Sequence, residues 1–193
     1  MTVSDRVRVK NVNVLSDRHY RLNEVEFEYR RGNGEWQTQK REVFDRGHAA
    51  TLLPYNLANG TVVLTRQFRL PPYLAGHDDF MIEAAAGMLD DETPENRIRA
   101  EAEEEIGYRL HDVRKVFEAF MSPGSVTEKL HFFVAEYEAA MRISDGGGIV
   151  EEGEDIEVLE LSIDQALAMI SDGRIVDAKT IMLLQHAALN IFR

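Results

Sequence analysis

Between Thr93 and Gly107 the chain spells out the start, body and end of one helix and loads it with charge that a helix does not choose for its own stability. Thr93 suits the N-cap, Pro94 the first helical position and Glu95 the positive end of the helix dipole, and Gly107 closes the run. Within it Glu101, Glu104 and Glu105 share a face, while Glu103 stands apart. Like charges at helical spacing cost roughly a few tenths of a kcal/mol per pair. A solvated acidic face is one explanation. A bound divalent cation is the other, because hard cations such as Mg²⁺ take carboxylate oxygens and reverse the sign of the repulsion.

The rest of the chain narrows the choice. A length of 193 residues favours one domain with at most a small appendage. The formal charge of −12 argues against a binder of nucleic acid or of anionic membranes, and an acidic protein that handles an anionic substrate needs a cation. With no cysteine, disulfides, thiolate metal sites and a Cys nucleophile are excluded together, which fits a cytoplasmic protein. The first residues lack the apolar region of a signal peptide, and no apolar stretch approaches the roughly 18 residues of a membrane span, so a soluble, untargeted protein is expected. The six histidines are scattered without an H-E-x-x-H and are read as structural or surface groups.

Residues 7 to 45 alternate β-branched, aliphatic or aromatic residues with polar ones, through Val7, Val9, Val12, Val14, Leu22, Val25, Phe27 and Tyr29, with a hairpin turn at Arg31-Gly32-Asn33-Gly34. They form an N-terminal β module, 1–45, ahead of a main domain, 46–193. Ala49 to Pro54 and Thr61 to Phe68 read as central strands, Val113 to Phe120, Leu130 to Tyr137 and Ile156 to Leu161 as further strands, and Ile163 to Ile170 and Lys179 to Phe192 as helices. Ser144 to Asp155 is acidic and glycine-rich.

Ala85-Ala86-Gly87, the loop after it and Glu101 to Tyr108 together resemble the signature of the Nudix hydrolases, G-x5-E-x7-R-E-U-x-E-E-x-G-U. Two departures are visible: the spacing from Gly87 to Glu101 is one residue short, and Ala100 stands where the family has Arg, with Arg99 one position upstream. Lys40-Arg41-Glu42, Thr65-Arg66-Gln67-Phe68-Arg69, Met121-Ser122-Pro123-Gly124, Thr127-Glu128 and Glu154-Asp155-Ile156-Glu157 extend the likeness to the ADP-ribose and GDP-mannose pyrophosphatase branch. The triple glycine Gly146-Gly147-Gly148 and the Ile98-Arg99-Ala100-Glu101 order are most similar to its GDP-mannose hydrolases.

The resemblance implies an α+β fold, a Nudix α/β/α sandwich with a mixed sheet, in a homodimer whose N-terminal strands pack across the partner. It implies Mg²⁺-dependent hydrolysis of a nucleoside diphosphate sugar, GDP-mannose first and ADP-ribose as the alternative, with Mn²⁺ as a second possible metal. A catalytically silent nucleotide sensor is the competing class. The carbonyl of Ala86 and the carboxylates of Glu101 and Glu105 would hold the metal, with Glu104 assisting. A lid formed by Gly146 to Asp155, hinged on its glycines, would carry a carboxylate to the metal and the attacking water. Glu154 aligns best for that role, Glu152 is its rival and Glu128 a further candidate. Arg69 is the preferred diphosphate clamp, with Arg66, Lys40 and Arg41 as companions. Lys179 resembles a substrate contact, and Tyr20 is the aromatic residue best suited to stack on a base.

Overall fold

The computed structural model describes residues 2–193, with the side chain of Glu152 outside that description. The chain forms two compact units: the first runs to His48 and takes in Phe120–Lys129, and the second comprises Ala49–Ala119 and Leu130–Arg193.

In the first unit, β1 (Val7–Asp17), β2 (Arg21–Arg30) and β3 (Trp36–Asp45) make an antiparallel meander. The β2–β3 turn falls where glycine and asparagine lead the sequence reading to put it: Gly34 has φ of +92°, and the Asn33 side chain accepts the Glu35 N–H at 3.1 Å. No residue of these three strands is fully buried. The unit reaches past the expected boundary at residue 45. The backbone of Phe44 donates to Ser125 O at 2.8 Å and accepts from Thr127 N, which draws 120–129 onto the end of β3.

The second unit is built on a mixed sheet in the order β10-β5-β4-β9-β8, from β4 (Ala49–Asn56), β5 (Thr61–Gln67), β8 (Arg114–Phe120), β9 (Lys129–Glu136) and β10 (Glu157–Ser162). β4 and β5 are nearly continuous apolar runs because both their faces are covered. Ala50, Leu52 and Val63 pack under α2 (Pro94–Glu105) through Ile98 and Ala102 and, just past its end, Ile106. The alternate residues Leu53, Val62 and Leu64 are equally buried and face the other way, toward the side of α3 (Ile163–Ser171) and α4 (Ala178–Asn190).

The sheet forks. β4 meets β5 only at Tyr55 and Asn56; closer to its start it pairs with β7 (Ala85–Met88), while β5 turns away to pair with β6 (Met81–Glu83). Neither short strand, nor α1 (Leu70–Leu74) with its two prolines, was expected from sequence. An Ala-Ala-Ala-Gly run has little strand propensity and is held extended by its neighbours. The fork sets Glu83 and Ala86 on adjacent strand ends, with α2 above.

Candidate active site

The helix α2 begins as its sequence dictates, with Thr93 Oγ1 accepting the Asn96 N–H and Pro94 in the first turn. Its acidic face splits in two. Glu101 and Glu105 turn inward and are 5% and 2% exposed, while Glu104 stays half-buried. Glu105 Oε2 accepts the N–H of Ala86 at 3.1 Å. Glu101 lies against Gly87, where a Cβ would overlap its carboxyl group and force that side chain to move.

Burial disfavours the charge on both carboxylates. It lifts Glu101 to about 6, with Arg97 resisting and Glu104 and Glu154 adding repulsion. It lifts Glu105 further, to about 8, reinforced by Glu101 and opposed by the Ala86 N–H and Arg69. The cation that supports Glu101 is Arg97, one helical turn earlier, and not Arg99. Arg99 lies on another side of α2 and binds Glu95 at 2.8 Å and the carbonyls of Leu110 and His111. The displaced arginine of the sequence motif is therefore a clasp for the chain after the helix.

The glycine-rich segment closes onto the C-terminal end of α2. Gly147 and Gly148 donate to the carbonyls of Glu105 and Glu104 at 3.0 and 3.1 Å, and Ile143 N–H donates to Gly107 O at 2.8 Å. Gly107 (φ +76°) and Gly146 (φ +69°) approach backbone so closely that neither admits a Cβ. Gly147 and Gly148, expected as hinges, donate to the last carbonyls of the helix. The docking brings Glu154 in: its Oε2 accepts the Ile149 N–H at 2.8 Å, and its charge acts on Glu101, Glu105 and Arg69. Glu152, the rival for the same role, has its side chain outside the described residues.

Arg69 comes from the fork. Its Nε donates to Glu83 Oε2 at 2.7 Å; among the described residues neither Nη has a hydrogen-bond partner. Glu83, absent from the sequence reading, is 5% exposed and also takes the Lys179 ammonium on Oε1 at 2.6 Å. Lys179 pairs in addition with Asp177 at 3.1 Å, so it stands behind Arg69 as an anchored cation. Arg66 departs from expectation. Strand alternation turns it to the opposite face from Thr65 and Gln67, where it binds Glu157 at 3.0 Å and stacks over Phe80, away from the carboxylates of α2.

The other sequence candidates lie in the first unit with local partners. Lys40 pairs with Glu24 and Glu26, Arg41 binds Lys40 O and Gln39, and Tyr20 packs edge-on to Phe44 under Arg46. Glu128 pairs with Arg46 at 3.4 Å.

A divalent cation fits the α2 site on the chemistry of its donors. Two buried carboxylates that repel each other and border β7 have less positive than negative charge around them: Arg97 pairs with Glu101 and also acts on Glu104, and Arg69 is held by Glu83. Among the described residues no three Asp, Glu or His side chains form a closed metal cage.

Comparison with known proteins gives the same direction. A family model described as the GDP-mannose pyrophosphatase NudK N-terminal domain matches residues 6–44. The GDP-mannose pyrophosphatase of Pectobacterium atrosepticum is 54% identical over 186 residues, covering 96% of this chain and 95% of its own. That of Yersinia enterocolitica is 50% identical over 187 residues, covering 95% and 97%. Among solved structures, an ADP compounds hydrolase shares the fold with a TM-score of 0.72 over 97% of each chain, at 17% identity.

Proposed function

The chain belongs to the GDP-mannose pyrophosphatase family of Nudix hydrolases, and from that premise we propose that it hydrolyses GDP-mannose to GMP and mannose 1-phosphate with Mg²⁺. The observation that carries the catalytic reading is the burial of Glu101 and Glu105 together, with carboxyls raised to about 6 and about 8, against the strand end at Ala86 and Gly87. Glu101, Glu105 and the Ala86 carbonyl would hold the cation, with Glu104 assisting. When bound, it neutralises diphosphate charge and acidifies a water.

The chain's own groups do the rest. Arg69 turns its two free Nη atoms to the phosphate oxygens. Glu154, one oxygen fixed by the Ile149 N–H, uses the other to take the proton of the attacking water as the P–O bond to the departing phosphate breaks. Glu152 and Glu128 are the remaining carboxylates for that step.

The proposal includes a homodimer covering the three-stranded sheet. A sheet of this size with no fully buried residue and with Val9, Val12 and Val14 exposed along β1 does not stabilise itself. Substrate roles for Tyr20, Lys40 and Arg41 belong to this part of the proposal. Among the described residues no helix is long and apolar enough to cross a membrane, and a cysteine-free acidic chain supports a cytoplasmic setting.

The test is release of phosphomonoester from a panel of GDP-mannose, ADP-ribose and other nucleotide sugars, with Mg²⁺ and after chelation, alongside light scattering at micromolar protein. GDP-mannose should be cleaved fastest, only with metal, by a dimer. Preference for ADP-ribose would move the substrate, activity after thorough chelation would remove the metal, and a fully active monomer would remove the dimer.

A further inference from the structure

The ion-paired group at the fork of the sheet does more than bury charge. Glu83 divides its carboxylate: Oε2 takes the Nε of Arg69 at 2.7 Å and Oε1 takes the Nζ of Lys179 at 2.6 Å. Lys179 is held a second time by Asp177. Asp177 also accepts from Thr180 Oγ1 at 2.6 Å, and that oxygen accepts the Ala84 N–H at 2.7 Å. The first turn of α4 is thus tied to the residue that follows Glu83, and Glu83 cannot move without pulling on both elements.

Two carboxylates, Glu83 and Asp177, stand against two cations, Arg69 and Lys179. Without Lys179, Glu83 and Asp177 would leave the group net negative beside an anionic ligand. With Lys179 the four charges sum to zero, and Glu83 fixes the plane of the guanidinium through Nε. An arginine held by Nε presents both terminal nitrogens as a fork, the geometry that matches a phosphate. Held this way, Arg69 spends no rotamer entropy on meeting its ligand.

We propose that Glu83 is the positioning residue that presets Arg69 for the diphosphate, with Lys179 as the counter-cation that keeps the group around Arg69 from turning net negative; this rests on the nucleotide-sugar reading of the site. Glu83 touches no reacting atom in this account and acts through Arg69.

The test is a double-mutant cycle in the full chain, Glu83→Gln and Arg69→Ala singly and together, with kcat and KM for GDP-mannose under saturating Mg²⁺. Glutamine can accept from only one of the two cations and turns its NH₂ to the other. Glu83→Gln should lower kcat/KM on the order of 10²-fold, chiefly through KM, as a misplaced binding group does. In the Arg69→Ala background the same change should shift kcat/KM by no more than about threefold. Glu83→Asp keeps the charge with one methylene less reach and should show the same dependence on Arg69 with a smaller loss, so a Gln variant that does not fold leaves the proposal exposed to refutation. Equal losses in both backgrounds, or no loss in the single variants, would overturn it. Wild-type turnover separates the two readings: no hydrolysis of any nucleotide sugar sinks the function, whereas hydrolysis with an additive cycle sinks only the role of Glu83.

Discussion

The group around Glu83 and the acidic pair of α2 both put carboxylates where water is scarce, yet burial leaves them in opposite states. Burial alone would raise Glu83, but Lys179 and Arg69 outweigh it and hold the carboxyl below the usual range. Burial lifts Glu105 to about 8, and the strongest charge acting on it is another carboxylate, Glu101, which lifts it further. In the first group the charges cancel and both oxygens of Glu83 are taken, by Arg69 and Lys179, with only the terminal nitrogens of Arg69 left open among the described residues. The second is short of positive charge. A fold tolerates the balanced kind as architecture, and the unbalanced kind marks where a ligand supplies what the chain does not.

The sharpest way to break this comparison is to neutralise one member of the pair. Glu105→Gln and Glu101→Gln should each lower turnover on the order of 10³-fold or more, the scale of losing a central electrostatic group, while the fold is kept. Stability should move the other way, and the sign follows from the raised carboxyls. A carboxyl at 4.5 in the unfolded chain and about 8 in the folded one binds its proton more tightly when folded. Its contribution to stability is present in full below about pH 4.5 and is lost as pH climbs through about 8. Thermal melts of the metal-free protein should therefore show Glu105→Gln gaining on wild type as pH rises from 5 to about 8.5. A wild type that holds its advantage throughout would place Glu105 in a balanced group like Glu83.

Glu154 sharpens the comparison from outside the helix. Glu154→Gln should cost roughly 10²-fold in turnover, at the lower end of general acid–base loss, with metal affinity by calorimetry nearly unchanged. Recovery of turnover as Mg²⁺ is raised would make Glu154 a ligand, and a comparable loss confined to Glu152→Gln would transfer the base to that residue.

The smallest effect is expected at Arg66. Because its guanidinium is engaged by Glu157 and Phe80 on the far face, Arg66→Ala should change kcat/KM by less than about threefold, the scale of a distant surface site. A loss as large as that of Arg69→Ala would mean that both arginines clamp the diphosphate.

What was legible in the sequence follows from the range of the interactions involved. Thr93, Pro94 and Gly107 act within a turn, so α2 could be read from its ends, and Glu101, Glu104 and Glu105 could be gathered by spacing alone. Arg97 was equally readable at four residues from Glu101, but the motif drew attention to Arg99, whose partners Leu110 and His111 follow the helix. Glu83 carried no local signal: it sits in a three-residue strand, and the lysine that balances it lies 96 positions away. Gly146 to Gly148 were visible as glycines, though their reason, close backbone contact with the end of α2, needs the fold. Arg66 and Arg69 look alike in one motif and are parted by the alternation of a strand whose last residue, Gln67, lies between them.

On the proposed function, a divalent cation completes the unbalanced pair of Glu101 and Glu105. The most direct measurement is calorimetric titration of Mg²⁺ into the metal-free protein at pH 7 in two buffers of different ionisation enthalpy, which counts the protons released. With Glu105 raised to about 8, binding should expel most of one proton from wild type and almost none from Glu105→Gln, whose affinity should also fall. Binding without proton release, or equal release from both proteins, would contradict the account.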